Sequence, residues 1–443
     1  MRNRPETILT YFLVLILGFL GFLTLSSASL ASPEDSSSER LLAITGVHIV
    51  PVTGNEIKSG TILIKGNRIE AVGEKVSLPE GTTIINGQGL TAYPGLIDSY
   101  SSLGLVEISG VAATVDNRET GRINPQVKAI EALRYDSMHI PIARANGIVA
   151  AVVAPTGGLI SGQATLVKLN GWTNREMVIK ESLALVVELP GIRGGRRSFM
   201  GMGGQAAVST EKALAELKEL FHRARMYEKR KDYASQNLLI SPPDLDETSL
   251  FLLPVVKGEL PVIFSVHADK DILQTIKFVQ EEKIKAIFYG VEQGYKVAGE
   301  IKKAGIPCII GSLYDLPPLW EEGYDSLFLN PVILNQAGVK IAFSSSSSSA
   351  AKDLPYHAAK AAAFGLDRKE ALKAVTIYPA EIFGVDKDMG SLEKGKLANI
   401  VLAAGDILEL GTTIEKVFIE GQETDLSNRY TELLEKFKKR EKK

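Results

Sequence analysis

Cysteine, histidine and net charge are all scarce in this chain. Its one cysteine, Cys308, excludes an intramolecular disulfide. Cys308 lies in the apolar run Ile306 to Ile310, which reads as a strand, and unpaired thiols in such runs are inert interior groups. There are five histidines, His48, His139, His222, His267 and His357. A catalytic zinc centre needs several nitrogen, oxygen or sulfur ligands at one point, so this stock restricts what can be built. Lysine and arginine number 50 against 52 aspartates and glutamates, a net charge of −2 that gives no electrostatic case for nucleic acid. No internal repeat is present. No Gly-x-Ser-x-Gly elbow accompanies the serines, which excludes that nucleophile geometry.

What is present is ordinary globular composition, 45% apolar and 23% charged, over 443 residues. That length holds one large domain and a small one, or two of medium size. Residues 1–31 read as an export signal: Arg2 and Arg4, an apolar run from Ile8 to Leu25, then Ser29-Leu30-Ala31 as a small-residue cleavage site. The run is long enough that an uncleaved membrane anchor is the alternative. No cysteine follows it, which excludes a lipid-anchored form. Residues 32–40 are a polar linker. Export without disulfides suits a bacterial periplasm or outer face.

Residues 41–93 carry short strands with turns, including two β-branched runs bracketing Gly66-Asn67, a hairpin signal. Past Leu96 the rhythm changes, and apolar runs alternate with helical segments. One helix is expected within Ala129 to Ala145, a strand over Ile148 to Val153, and a helix over Ser209 to Lys229. Strand and helix then alternate to about residue 374. Alternation of this kind means βα units and a parallel sheet, and about eight units over residues 94–385 fit a closed (β/α)8 barrel. A β signature returns over 386–422, and 425–443 form an amphipathic helix with Leu426, Tyr430, Leu433, Leu434 and Phe437 on one face. That face is expected to dock on the chain's own surface, with a membrane or partner contact as the alternative.

Pro94-Gly95-Leu96-Ile97-Asp98-Ser99-Tyr100-Ser101-Ser102-Leu103-Gly104 resembles the opening of the catalytic barrel in the amidohydrolase superfamily, Pro-Gly-Leu-Ile-Asp-x-His-x-His-x-Gly. Further stretches in matching order are Gly258 to Val262, Tyr295 to Ala298, Ala371 to Thr376, Pro379 to Glu381 and Gly390 to Lys396. Together they are most similar to the imidazolonepropionase-like branch. The resemblance implies a (β/α)8 TIM barrel joined to a composite β-sandwich made from 41–93 and 386–422, with Gly157 to Gln163 as a loop near the barrel mouth. It implies metal-dependent hydrolysis of C–N bonds, with one or two divalent ions, usually zinc, held at the barrel mouth.

Against that pattern Tyr100 and Ser102 stand where the first histidine pair would be. Ser265 takes a third histidine's place, with His267 two residues on and sharing its strand parity. Tyr289 takes a fourth, and Ser346, within the run Ser344 to Ser349, takes that of the family's aspartate. Hydroxyls and phenols are poor zinc ligands beside imidazole. Lys257 is the nearest candidate for a bridging lysine and reads as a surface residue. No metal or other cofactor is therefore expected, and no catalytic residue is assigned beyond Ser346 at the aspartate position.

Other clusters have plainer readings. Asp271 caps the helix that follows it rather than joining His267 and Asp269 in an ion site. Gly191 to Gly204, with Arg193, Arg196 and Arg197, is a surface insertion or an anion-binding loop. Three functions stay open: a silent barrel whose mouth binds a small molecule or nothing, an accessory subunit of an active relative, and a working hydrolase of cyclic amides, amidines or small peptides with a rebuilt site using His267, Tyr100 and acidic neighbours; the partner is a second copy, in a homo-oligomer, or the active relative, in a hetero-oligomer. A membrane is involved only through the N-terminal segment, if it is retained.

Overall fold

The computed structural model describes residues 40–190, 209–237, 239–315, 317 and 322–440. The segment read as an export signal, most of the expected linker and the arginine-bearing glycine loop lie outside the described residues. Two eight-stranded sheets organise the rest.

The first sheet joins the two ends of the chain. β1 (Leu41–Ile49) and β2 (Ile57–Lys65) pair antiparallel, and β3 (Arg68–Gly73) closes the expected hairpin through Gly66 at φ +60°. β4 (Thr83–Asn86) lies parallel to β1, and β5 (Thr91–Pro94) pairs parallel with β1 on its way to the barrel. From the C-terminal side come β14 (Ile400–Ala403), β15 (Ile414–Ile419) and β16 (Gln422–Glu423), with β14 antiparallel to β5. The composite domain is thus one continuous hydrogen-bonded sheet around a core that includes Ile44, Ile62, Ile64, Leu402 and Phe418. The β-branched runs legible at 60–64 and 414–419 supply those inward faces.

Gly95 then turns the chain inward, and its amide donates to the Asn399 carbonyl at 2.9 Å. A Cβ there would fall inside the Val149 side chain, so only glycine passes. The barrel strands follow in spatial order: β6 (Leu96–Ser101), β7 (Ile148–Val153), β8 (Ile160–Lys168), β9 (Val178–Glu188), β10 (Val262–Val266), β11 (Ala286–Gly290), β12 (Cys308–Ile310) and β13 (Ile341–Phe343). Seven point one way; β8 runs antiparallel to both neighbours. Gly157 to Gln163 is therefore partly strand, not a loop. Chain length explains the reversal. Only residues 154–159 link β7 to β8 and 169–177 link β8 to β9, and a parallel crossover needs a dozen or more.

Helices depart from expectation at two places. The single helix over Ala129 to Ala145 is two short ones, Ala129–Ala132 and His139–Arg144. Pro141 fits the first turn of the second, whereas inside one long helix it would clash with the preceding turn. The C-terminal helix, Arg429–Lys438, is well capped by Asn428 and Thr431 but buries no residue. Its apolar face is not docked: Tyr430, Leu434 and Phe437 are 56%, 54% and 51% exposed. The chain is last anchored just before it, where Arg144 Nε donates to the Asp425 carbonyl at 3.1 Å and Leu426 packs on the core.

β6 and β13 close the barrel without a ladder between them. Near the bottom, Ile97 N–H donates to Val375 O at 2.8 Å and Phe343 N–H to Ala374 O at 3.0 Å. Near the top the serine run does the joining. Ser346 N–H donates to Tyr100 O at 3.0 Å, and Ser345 N–H to Asp98 Oδ1 at 2.9 Å.

Because the terminal helix buries nothing, removing residues 429–443 should change the free energy of unfolding by less than about 1 kcal/mol. Urea denaturation of the truncated chain checks this; a larger loss would mean that the helix docks in solution.

Candidate functional site at the barrel mouth

Strand parity decides which side chains reach the mouth. Tyr100, next to last in β6, has its ring buried and stacked on Tyr289 of β11, centroids 3.8 Å apart and planes at 15°. Tyr289 pairs in register with Ser265 of β10, and Ser265 in turn with Glu188 of β9. Paired residues on parallel neighbours face the same way, so these three sit side by side.

Two residues beyond Ser265, His267 turns back toward it. Ser265 Oγ lies 3.2 Å from His267 Nε2, and Glu292 Oε2 lies 2.6 Å from Nδ1. The carboxylate holds the proton on Nδ1, which leaves the Nε2 lone pair facing the serine hydroxyl. Gly290 makes room for the ring. Its φ is +94°, and a Cβ there would stand 2.6 Å from His267 Nδ1.

Glu292 is the residue that sequence reasoning missed. The available signal was a carboxylate just past the end of the strand next to the histidine's. Ser346 has a left-handed backbone, φ +58°, and its Oγ lies 3.1 Å from Ser344 Oγ. Ser102 is drawn away from the tyrosines and accepts from Ser348 N–H at 3.1 Å. The fold therefore brings together Tyr100 with Tyr289, and Ser265 with His267. It places Ser346 against the Tyr100 backbone and Ser102 against the serine loop.

The remaining candidates fall elsewhere. Lys257 ends the helix Glu247–Val256 and pairs with Glu228 on the outer surface. Asp271 does not cap its helix, which begins at Asp269; it lies within the first turn. Cys308 is buried, and burial pushes its thiol far up. His357 is an interior acceptor, taking Leu313 N–H at 3.2 Å, and burial pushes it down to about 4.

A model of the amidohydrolase family matches residues 329–424, from the helix before β13 through β16. An amidohydrolase, tasK, of Hapsidospora irregularis is 22% identical over 392 residues, covering 82% of this chain and 39% of its own length. A 5′-deoxyadenosine deaminase of Methanothermobacter thermautotrophicus is 34% identical over 71 residues, 16% of each chain. The chain thus spans about two-fifths or less of the curated relatives it matches. Among solved structures, an amidohydrolase from Thermotoga maritima superposes with a TM-score of 0.78 at 23% identity, covering 88% of this chain and 100% of that one. A prolidase complexed with N-methylphosphonate-L-proline does so at 0.54 and 15%, covering 87% and 99%.

Over residues 329–424 the chain matches the amidohydrolase family, and its fold is the amidohydrolase fold.

The superfamily's metal chemistry needs imidazole or carboxylate donors converging on one point. Tyr100, Ser102, Ser265, Tyr289 and Ser346 offer phenol and hydroxyl oxygens in this chain, and both nitrogens of His267 are engaged. Among the described residues no three His, Cys, Asp or Glu side chains are placed to hold an ion. The residues at the mouth do not fit a superfamily zinc centre. The carboxylate beneath them, Asp98, serves the seam instead. It is wholly buried and accepts from Ser345 N–H and Ser345 Oγ.

Burial raises the Asp98 pKa from 3.8 to about 7, against the lowering pull of the Ser345 hydrogen bonds. The folded chain then keeps a proton that the unfolded chain loses from about pH 4 upward. Its stability is full below that pH and falls toward pH 7, by up to about 4 kcal/mol. Asp98→Asn removes this pH dependence. Urea unfolding at about pH 5 and about pH 8 should show a loss in the parent that the variant lacks; equal changes in both would contradict the assignment. His357 adds an opposite, acid-side loss common to both proteins and cancels from the difference. Gly290→Ala should cost about 2–3 kcal/mol, read by the same unfolding, because it combines a left-handed backbone with a clash on the His267 ring.

Proposed function

We propose that this chain is an exported amidohydrolase-superfamily protein that does not carry the family's metal-dependent C–N hydrolysis. It acts as a non-catalytic homologue or as an accessory subunit of an active relative, its mouth open at most to a small uncharged ligand. The observation that supports this reading most directly is the pairing of the His267 ring, Nε2 with Ser265 and Nδ1 with Glu292, while Tyr100, Ser102, Tyr289 and Ser346 put only phenols and hydroxyls at the other positions of the superfamily pattern. An imidazole so engaged, without a second one beside it, is a poor start for a zinc site. The names of two relatives, an amidohydrolase and a deaminase, support C–N hydrolysis as the ancestral chemistry in this reading. Export rests on Arg2, Arg4 and the apolar run from Ile8 to Leu25.

Metal analysis of the purified chain, with and without added zinc, tests the loss of the centre. Well below one ion per chain is expected in both; stoichiometric zinc, manganese or iron overturns the reading. Co-purification with a histidine-complete superfamily member would favour the accessory role, and a chain that runs alone on sizing and captures no such member would remove it.

One observation favours a second reading, a rebuilt metal-free hydrolase. A carboxylate 2.6 Å from one side of an imidazole and a hydroxyl 3.2 Å from the other is an arrangement that activates hydroxyls.

A further inference from the structure

This inference rests on the second reading. We propose that Ser265 is an acylatable nucleophile, with His267 as its base and Glu292 as the residue that positions that base. The three groups form a continuous line: Ser265 Oγ to His267 Nε2 at 3.2 Å, then Nδ1 to Glu292 Oε2 at 2.6 Å. Nucleophile, base and orienting acid are the three parts that acyl transfer through a hydroxyl requires, and they are recognised by geometry rather than by order in the chain.

The line is rigidly held. Ser265 and His267 come from one strand end, and Glu292 from the turn after the neighbouring strand. Val291 N–H donates to Val266 O at 2.8 Å, and Gln293 N–H to His267 O at 3.1 Å, on either side of Glu292. Gly290, just before them, leaves the space the ring fills. Val291 sits at φ +46°, a conformation that a β-branched residue adopts only under strain, beside the acid it positions.

The surroundings select the substrate class. The stacked Tyr100 and Tyr289 rings form a flat wall next to Ser265. Glu188, in register on the other side, and Glu292 disfavour anions. Ser265 is only 1% exposed, so the acyl group must be small. A small neutral carboxylic ester fits. In the step, Ser265 Oγ bonds to the acyl carbon and passes its proton to His267 Nε2. The ester C–O bond breaks, and the leaving alcohol takes that proton. Water, deprotonated by the same nitrogen, then releases the acid and restores the serine.

The test uses the full chain with p-nitrophenyl acetate, following nitrophenolate release and mapping acetyl groups by peptide mass. Acetyl on Ser265 is expected. Ser265→Ala should abolish it, and His267→Gln should slow acylation by about 100-fold or more. Glu292→Gln should slow it less and move the acid limb of the pH–rate profile to lower pH, which a purely structural role would not do. Melting temperatures certify that the variants fold. Turnover that survives Ser265→Ala but not His267→Gln overturns the nucleophile and leaves the rebuilt site standing. An unmodified Ser265 with no turnover in the folded parent overturns both.

Discussion

A buried carboxylate closes this barrel. Asp98 is held by the backbone and hydroxyl of Ser345, which lies 247 residues along the chain, and these bonds span the one place where adjacent strands share no ladder. Burying a carboxylate is costly, and no cation stands among its contacts to offset that cost; hydrogen bonds do so, and protonation becomes easy. The seam locates the mouth. Tyr100 lies two residues past Asp98, and Ser346 one past Ser345, with its amide on the Tyr100 carbonyl. Ser345 and Ser346 thus act as backbone and hydroxyl donors in a closure, and the polar run needs no reactive role.

The same economy governs the mouth. Where a metal would bind several charged or imidazole donors, this chain pairs its polar groups with one another. Two phenols stack, two serine hydroxyls approach each other, and the one imidazole is shared between a hydroxyl and a carboxylate. Such a site is complete without an ion, which supports reading it as silent toward the family reaction. It is also the setting in which a hydroxyl can be activated without metal, and the two readings diverge only on whether Ser265 turns over.

The order of strands from β10 to β13, the helix Asp269–Glu282, the Gly66 hairpin and the return of β structure after residue 386 were legible because each is a local pattern. Two-residue alternation, apolar runs and turn pairs act over a few positions. The reversed β8 escaped notice because its apolar run has no direction of its own; only the short links on either side forbid a crossover. The split at Ala129–Arg144 carried a marker in Pro141, but the break itself is set where Arg134 N–H finds the Gly104 carbonyl.

For the site, the sequence by itself determined the residue types at positions 100, 102, 265, 289 and 346, and so the lack of imidazole and carboxylate donors there. Strand parity also aimed His267 at the mouth. Only the tertiary structure decided that Glu292 meets that ring, that the serines stitch a seam, and that the terminal helix keeps its apolar face in solvent. The reason is the range of the forces involved. Backbone preference and periodicity are written within a turn or a strand, whereas a contact across 25 or 247 residues exists only once packing has chosen which strands are neighbours.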